Sequence, residues 1–337
     1  MKTPRLLHPT TLRLALLTSA LALTASACGG SDDGTAGSGG SGASGGSGAS
    51  GGSSASGGSA GIGGQGGGGG AGWRTLVSGD WTMEPGGEGY VCVRYTVPED
   101  VYVSAFRPVA PFGTHHTVLS VEEDGKPDGQ DDCDGGMNGP RMLYGSGVGT
   151  DALEFPSGVA VKIAAGEQIK LNLHLFNATP KAIAGTSAIE ILAVEAADVE
   201  HEALAVLAGK DKGLFVDTGE TTQTGYCTSP IPLNVFAVMP HMHTLGSHMK
   251  VTSLGSNPST LLDTDYEFEE QRFRLLDPPV SMQKGDQLQV DCTYINDTGG
   301  AVQYGESTND EMCYAGAYIY AEDPSIKLQT KGVTCTQ

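Results

Sequence analysis

Positive charge is scarce in this sequence. Its 337 residues hold 19 Lys and Arg against 39 Asp and Glu, a formal net charge of −20. A surface that acidic repels phosphate backbones and anionic headgroups, which argues against a nucleic-acid binder or a polybasic membrane-surface protein. Long apolar runs are missing as well: none of spanning length follows residue 28, so a polytopic helical membrane protein is excluded. From Trp73 onward the chain has no C-x-x-C, which argues against a thiolate zinc site or a thioredoxin-type redox motif. The same stretch has no C-x-x-C-H, H-E-x-x-H, G-x-S-x-G or P-loop. If this chain does chemistry, a metal is the best candidate to carry it.

The front end reads as an export signal and a tether. Lys2, Arg5 and Arg13 precede or flank a short apolar core, Leu14–Ala25, too short for a lasting transmembrane helix. Ala25-Ser26-Ala27-Cys28 resembles a bacterial lipobox, which makes Cys28 the expected lipidation site; an ordinary signal peptide cut near Ala27 is the alternative. Residues 29–72 hold 23 of the 51 glycines and almost no side chain able to build a core, so a flexible coil is expected there. The expected division is therefore a signal peptide over 1–27, a lipidated Cys and linker over 28–72, and folded protein from Trp73. That last stretch is long enough for one large domain or two average ones.

Six cysteines remain beyond Cys28: Cys92, Cys133, Cys227, Cys292, Cys313 and Cys335. An even number in an exported protein favours three disulfides over free thiols, with every connectivity open on spacing alone. Two precede residue 134 and four follow residue 226, which suggests one bridge in a first domain and two in a second.

The pattern from Trp73 is short and β-like. Tyr90–Val97, Val101–Phe106, Val159–Ala164, Gln168–Phe176, Ala188–Val194, Leu233–Val238 and Asp286–Ile295 are rich in β-branched and aromatic residues, and Gly, Pro, Asn and Asp clusters separate them. Val199–Ala208 is the one plausible helical patch and could equally be a connector. An all-β fold follows, made of two consecutive antiparallel β-sandwich domains over 73–200 and 201–337.

Five histidines stand in three compact settings. His115-His116 follows the turn-forming Pro111-Phe112-Gly113, His174 lies inside Leu171–Asn177, and His241 and His243 form His-Met-His after Pro240. Residues i and i+2 of a strand share a face, so His241 and His243 can chelate one metal while Met242 points away. Neighbours on a regular strand diverge, so His115 and His116 can share a metal only at a strand end or a bulge, which Gly113 makes plausible. His201, between two glutamates, reads as solvated surface, and His248 as a bystander. Met312 sits in a polar stretch with no evident core to fill. A thioether is a soft donor that suits Cu(I), so imidazoles plus one methionine point to copper.

The order His-His, strand His, His-x-His and then Glu311-Met312-Cys313 resembles the copper type II, ascorbate-dependent monooxygenases, the family of the peptidylglycine α-hydroxylating and dopamine β-hydroxylating enzymes. Tyr144–Ile163 leading into Leu171–Asn177 looks like the family's approach to its third histidine, and Ser307–Cys313 like its methionine segment. The resemblance runs from about Tyr90 to Tyr320. It implies two jelly-roll-like sandwiches and two copper ions per chain. The first ion would be held by His115, His116 and His174; the second, catalytic one by His241, His243 and Met312. It further implies the pairings Cys92–Cys133, Cys227–Cys335 and Cys292–Cys313.

The implied reaction is hydroxylation of an aliphatic C–H bond of a small molecule by O2, with ascorbate or another one-electron reductant. Where the peptide-hydroxylating enzymes grip a substrate carboxylate, this chain has Met239, Tyr314 and Gly316, so a C-terminal glycine peptide is an improbable substrate. The expected setting is a monomeric bacterial envelope lipoprotein that touches the membrane only through its lipid anchor and binds no nucleic acid. A non-catalytic copper-buffering or copper-delivering lipoprotein is the alternative, and a purely structural sandwich is the third reading.

Overall fold

A computed structural model describes residues 72–135, 140–305 and 307–328, and the backbone of residues 335–336. The expected signal peptide, Cys28 and the Gly/Ser tract up to residue 71 lie outside these residues. Strands carry the structure, and no α-helix occurs among the described residues. No helix there is long and apolar enough to cross a membrane.

The longest sheet has a main path of eight strands. In order they are Arg74–Met83, Ile183–Val194, Val101–Val109, Val159–Ile163, His201–Lys210, Cys313–Ala321, Leu233–His241 and Arg274–Met282. Pairing is antiparallel except where His201–Lys210 meets Val159–Ile163 and the short Cys335–Thr336. A five-stranded sheet (Gly129–Asp132, Glu88–Thr96, Gln168–Phe176, Thr114–Glu122, Arg141–Ser146) and a four-stranded one (Gly219–Thr228, Gln287–Asn296, Gly246–Leu254, Ser259–Asp265) complete two sandwich-like layers of packing. Each of the seven strands expected from sequence overlaps one of these elements, with Val97, Ala164 and Asp286 one residue outside. Arg274–Met282 carries Pro278 and Pro279 and sits at the end of the long sheet, where a missing ladder donor is tolerated.

Two hydrophobic cores fill the spaces between sheets. The first gathers Val93, Phe106, Leu119, Leu171, Leu173 and Ile189; the second gathers Met249, Val251, Leu262, Leu288 and Val290. Three strands of the long sheet contribute to both. Ala203 and Ala205 belong to the first core, while Leu204, Val206 and Ala208 belong to the second. Tyr318 and Phe236 likewise belong to the first, and Ala317, Ile319 and Val235 to the second. This corrects the helical reading of Val199–Ala208. Its Ala and Leu residues favour a helix locally, but alternation with period two lets His201–Lys210 bury both faces, and that packing overrides propensity.

His201 is corrected too: it is half-buried and its ring lies 4.7 Å from that of Tyr320. His248 is outside every histidine cluster and pairs instead with Asp263 and Asp265. Disulfides join Cys92 to Cys133 and Cys292 to Cys313. Cys227 is also disulfide-bonded, but the side chain of Cys335 lies outside the described residues.

Candidate metal centre

Backbone irregularity builds the first cluster. The strand Thr114–Glu122 pairs with Gln168–Phe176 as Thr114↔Leu175 and then His116↔His174, so His115 is the extra residue of a bulge. Gly113 precedes it at φ 104°, and a Cβ there would come within 2.7 Å of Trp81 and Ile183. The bulge rotates His115 out of alternation, and Nδ1 of His115 and Nδ1 of His116 lie 3.2 Å apart. One ligand atom from each of His115, His116 and His174 falls within 4.8 Å of the others.

The third histidine is held from both sides. Glu88 Oε1 accepts from Nε2 of His174 at 2.7 Å, which leaves Nδ1 as the free donor atom. Tyr90 stacks on the same ring at 4.6 Å. Burial, then the neighbouring His174, lowers the pKa of His115, although Glu269 and Glu88 oppose it. Burial and the rings of His115, His241 and His174 push His116 well below the ordinary range. Both shifts favour the neutral imidazole that metal ligation requires of His115 and His116.

The second cluster assembles where Leu233–His241 ends. His241 is the last strand residue, and His243 follows just beyond it, so the shared face persists past the regular strand. Met242 points the other way into the second core, fully buried. His241 Nε2 lies 3.3 Å from the Met312 sulfur, and its Nδ1 lies 2.6 Å from Oε1 of Gln271. His243 Nδ1 donates to the carbonyl of Asp310 at 3.1 Å. Both rings thus have Nδ1 engaged, leaving Nε2 for a ligand. Burial, then His243, holds His241 down to about 4.

Met312 is fixed by its neighbours. Its carbonyl accepts from Tyr294 Oη at 2.8 Å, and the next residue, Cys313, is bonded to Cys292. Glu311, fully buried, accepts from the backbone N–H of His243 (2.9 Å), Leu245 (2.7 Å) and Met312 (3.2 Å). Burial pushes its carboxyl up to about 7 against the pull of those three donors.

One cavity of about 290 Å³ receives both clusters. His116, His174, His241, His243 and Met312 line it, with Tyr90, Met142, Leu207, Met239, Phe268, Tyr304 and Tyr314 among its other walls. Gln271 spans the clusters: its amide nitrogen is 3.2 Å from Nε2 of His116 and donates to the carbonyl of Phe268. The structure therefore brings together all six sequence-selected side chains, five of them on one cavity. Sequence reasoning missed Glu88, Tyr90, Phe268 and Gln271, none of which stands in a ligand-like spacing. Glu311 was visible only as part of the Glu-Met-Cys string.

Residues 205–335 match the model of the copper type II ascorbate-dependent monooxygenase C-terminal domain, which supports a kinship of this segment with that family. DBH-like monooxygenase protein 1 of Mus musculus is 23% identical over 283 residues, which cover 72% of this chain and 45% of that protein. The chain thus spans under half the length of this relative. Among solved structures, the infectious bursal disease virus VP2 subviral particle aligns over 76% of this chain and 72% of its own, at 8% identity and a TM-score of 0.19. The Gx strain of that virus aligns at 10% identity, a TM-score of 0.20, and 76% and 73% coverage. Superpositions that weak carry no argument.

Proposed function

We propose that the chain is a two-copper monooxygenase that hydroxylates an aliphatic C–H bond of a small molecule. The observation that carries this reading is the placing of the Met312 thioether against His241 Nε2 in a cavity that also receives the three-histidine cluster. The donor chemistry fits copper: a thioether and imidazoles suit Cu(I) and serve poorly for Mg or Ca. His115, His116 and His174 would hold one ion through one ring nitrogen each. His241, His243 and Met312 would hold the other.

The chemistry supplied by bound copper is one-electron storage at each ion and activation of O2, with one oxygen atom entering the product and the other leaving as water. The protein's part is to hold and shield. Gln271 and Asp310 keep Nε2 of His241 and His243 available, and Phe268 packs against the rings of His115 and His116. Walls from Met142, Leu207, Met239 and Tyr314 offer an apolar bed beside the donors. No Lys or Arg lines the cavity among the described residues, so an anionic substrate finds no protein counter-charge there. Ascorbate or another one-electron donor would supply electrons. The disulfides fit an oxidising, extracytoplasmic setting, and Cys28 would anchor the chain to a bacterial envelope as a monomer. In this reading 73–200 and 201–337 form two domains with one copper each.

The test is copper content followed by turnover. Protein reconstituted under reducing conditions should retain two coppers per chain and form hydroxylated product only with reductant and O2. Retained copper without product for any of a broad panel of uncharged substrates would favour a buffering or delivery role. No retained copper would sink both.

A further inference from the structure

Among the described residues, the Glu311 carboxylate is the acidic group that contacts both halves of the second donor set. Its Oε2 accepts from the backbone of His243 on one side and of Met312 on the other, while Oε1 accepts from Leu245. His243 and Met312 lie far apart in sequence, on segments also joined by the His243 Nδ1 bond to the Asp310 carbonyl, the Thr244 hydroxyl bond to the Thr308 carbonyl and the ladder pair His241↔Tyr314. A fully buried carboxyl group is costly unless its lone pairs are met, and here three N–H donors meet them. Such an arrangement does more than fill space. Beyond the end of the ladder it helps set where the backbone of His243 stands relative to that of Met312, and hence the separation of an imidazole donor from a thioether donor.

We propose that Glu311 is a positioning residue that fixes the His243–Met312 geometry of the thioether-containing copper site. This rests on the copper reading above. The group holds backbone, touches neither substrate nor metal, and cannot be replaced by its amide. Glutamine keeps the shape but turns one oxygen into an N–H donor, and in either orientation that donor faces a backbone N–H. Aspartate keeps the charge but is one methylene short of spanning the segments.

The test compares wild type, Glu311→Gln and Glu311→Ala as full chains loaded with Cu(I). Copper–sulfur scattering in the X-ray absorption spectrum and copper per chain are the readouts. The expected result for both variants is loss of the sulfur signal and roughly 10–100-fold weaker binding of one copper, with the three-histidine copper retained. A merely structural role would lower the melting temperature and weaken both coppers together. Sulfur scattering unchanged in Glu311→Gln overturns the inference alone. Wild type lacking the sulfur signal overturns the copper reading and this inference with it. If neither variant folds, native amide exchange decides: the N–H groups of His243, Leu245 and Met312 should be strongly protected in copper-free wild type, and free exchange at them overturns the role.

Discussion

The amide oxygen of Gln271 lies 2.6 Å from Nδ1 of His241, and the same amide's nitrogen lies 3.2 Å from Nε2 of His116. One side chain, itself buried, therefore fixes the tautomer of a residue in one cluster while touching the other. In Gln271→Leu, His241 loses the acceptor that holds its proton on Nδ1. Copper at the His241, His243 and Met312 set should bind roughly 10–100-fold more weakly, with a smaller loss at the three-histidine set, where His116 loses its contact with the amide nitrogen. Stepwise copper titration followed by metal analysis reads this directly, and equal affinity at both sets would count against it.

Met312→Ala should abolish reductant-dependent hydroxylation while leaving the fold intact. The side chain is nearly buried but faces the cavity, so its removal should cost near the low end of the usual range for Met→Ala, about 2 kcal/mol. Circular dichroism and thermal melting check the fold. Turnover retained in the variant would remove Met312 from the site.

Replacing Cys292 and Cys313 together by alanine should lower stability by about 2–4 kcal/mol, a fall in melting temperature of roughly 5–15 °C. This pair closes a loop of sequence separation 21 and also anchors the residue beside Met312. Sulfur scattering from Cu(I) should weaken in the same variant at temperatures where it remains folded.

Lys170 and Glu122 form an ion pair in the five-stranded sheet, both nearly inaccessible to solvent. Glu122 has no hydrogen-bond partner for its carboxylate oxygens beyond that pair. Lys170→Met alone should cost about 3–5 kcal/mol, because it strands a buried carboxylate. The double variant Lys170→Met/Glu122→Leu should recover most of that loss. Denaturant melts of the three proteins test it.

Acid should act through Arg94, which is buried and bonded to Asp124 and Asp131. Partial burial works against ionisation of both carboxyls, but Lys126 and Arg94 outweigh it and hold them below the ordinary carboxylate range. Groups depressed in the folded state lend stability that is present above about pH 4 and lost as pH falls through their lowered values. Arg94→Met should therefore melt well below wild type at pH 7, with the gap narrowing below about pH 4. A gap independent of pH would remove the ion pairs from the explanation.

How much was legible in the sequence follows from the range of each signal. The His-Met-His and His-His spacings are local, and the turn at Gly113 advertised the bulge that lets adjacent rings converge. Strands such as Gln168–Phe176 were legible because Ile169, Leu171, Leu173 and Leu175 alternate with polar residues at period two. Cys313–Ala321 was missed: its run of Ala, Gly and Tyr has weak alternation, and only burial against two cores makes it a central strand. Gln271 and Phe268 were illegible for another reason. They act across sequence separations that no local pattern encodes, from a loop between strands Ser259–Asp265 and Arg274–Met282.

The doubly buried wall of His201–Lys210, Leu233–His241 and Cys313–Ala321 has a consequence for anyone who would dissect this molecule. The segment matched by the family model begins inside the first of these strands. Expressed alone, it would present Ala205, Phe236, Met239 and Tyr318 to water as a bare apolar sheet face, stripped of the layer that covers them here. That fragment would seek a substitute cover in other copies of itself and aggregate, so the matched segment is not a portable module.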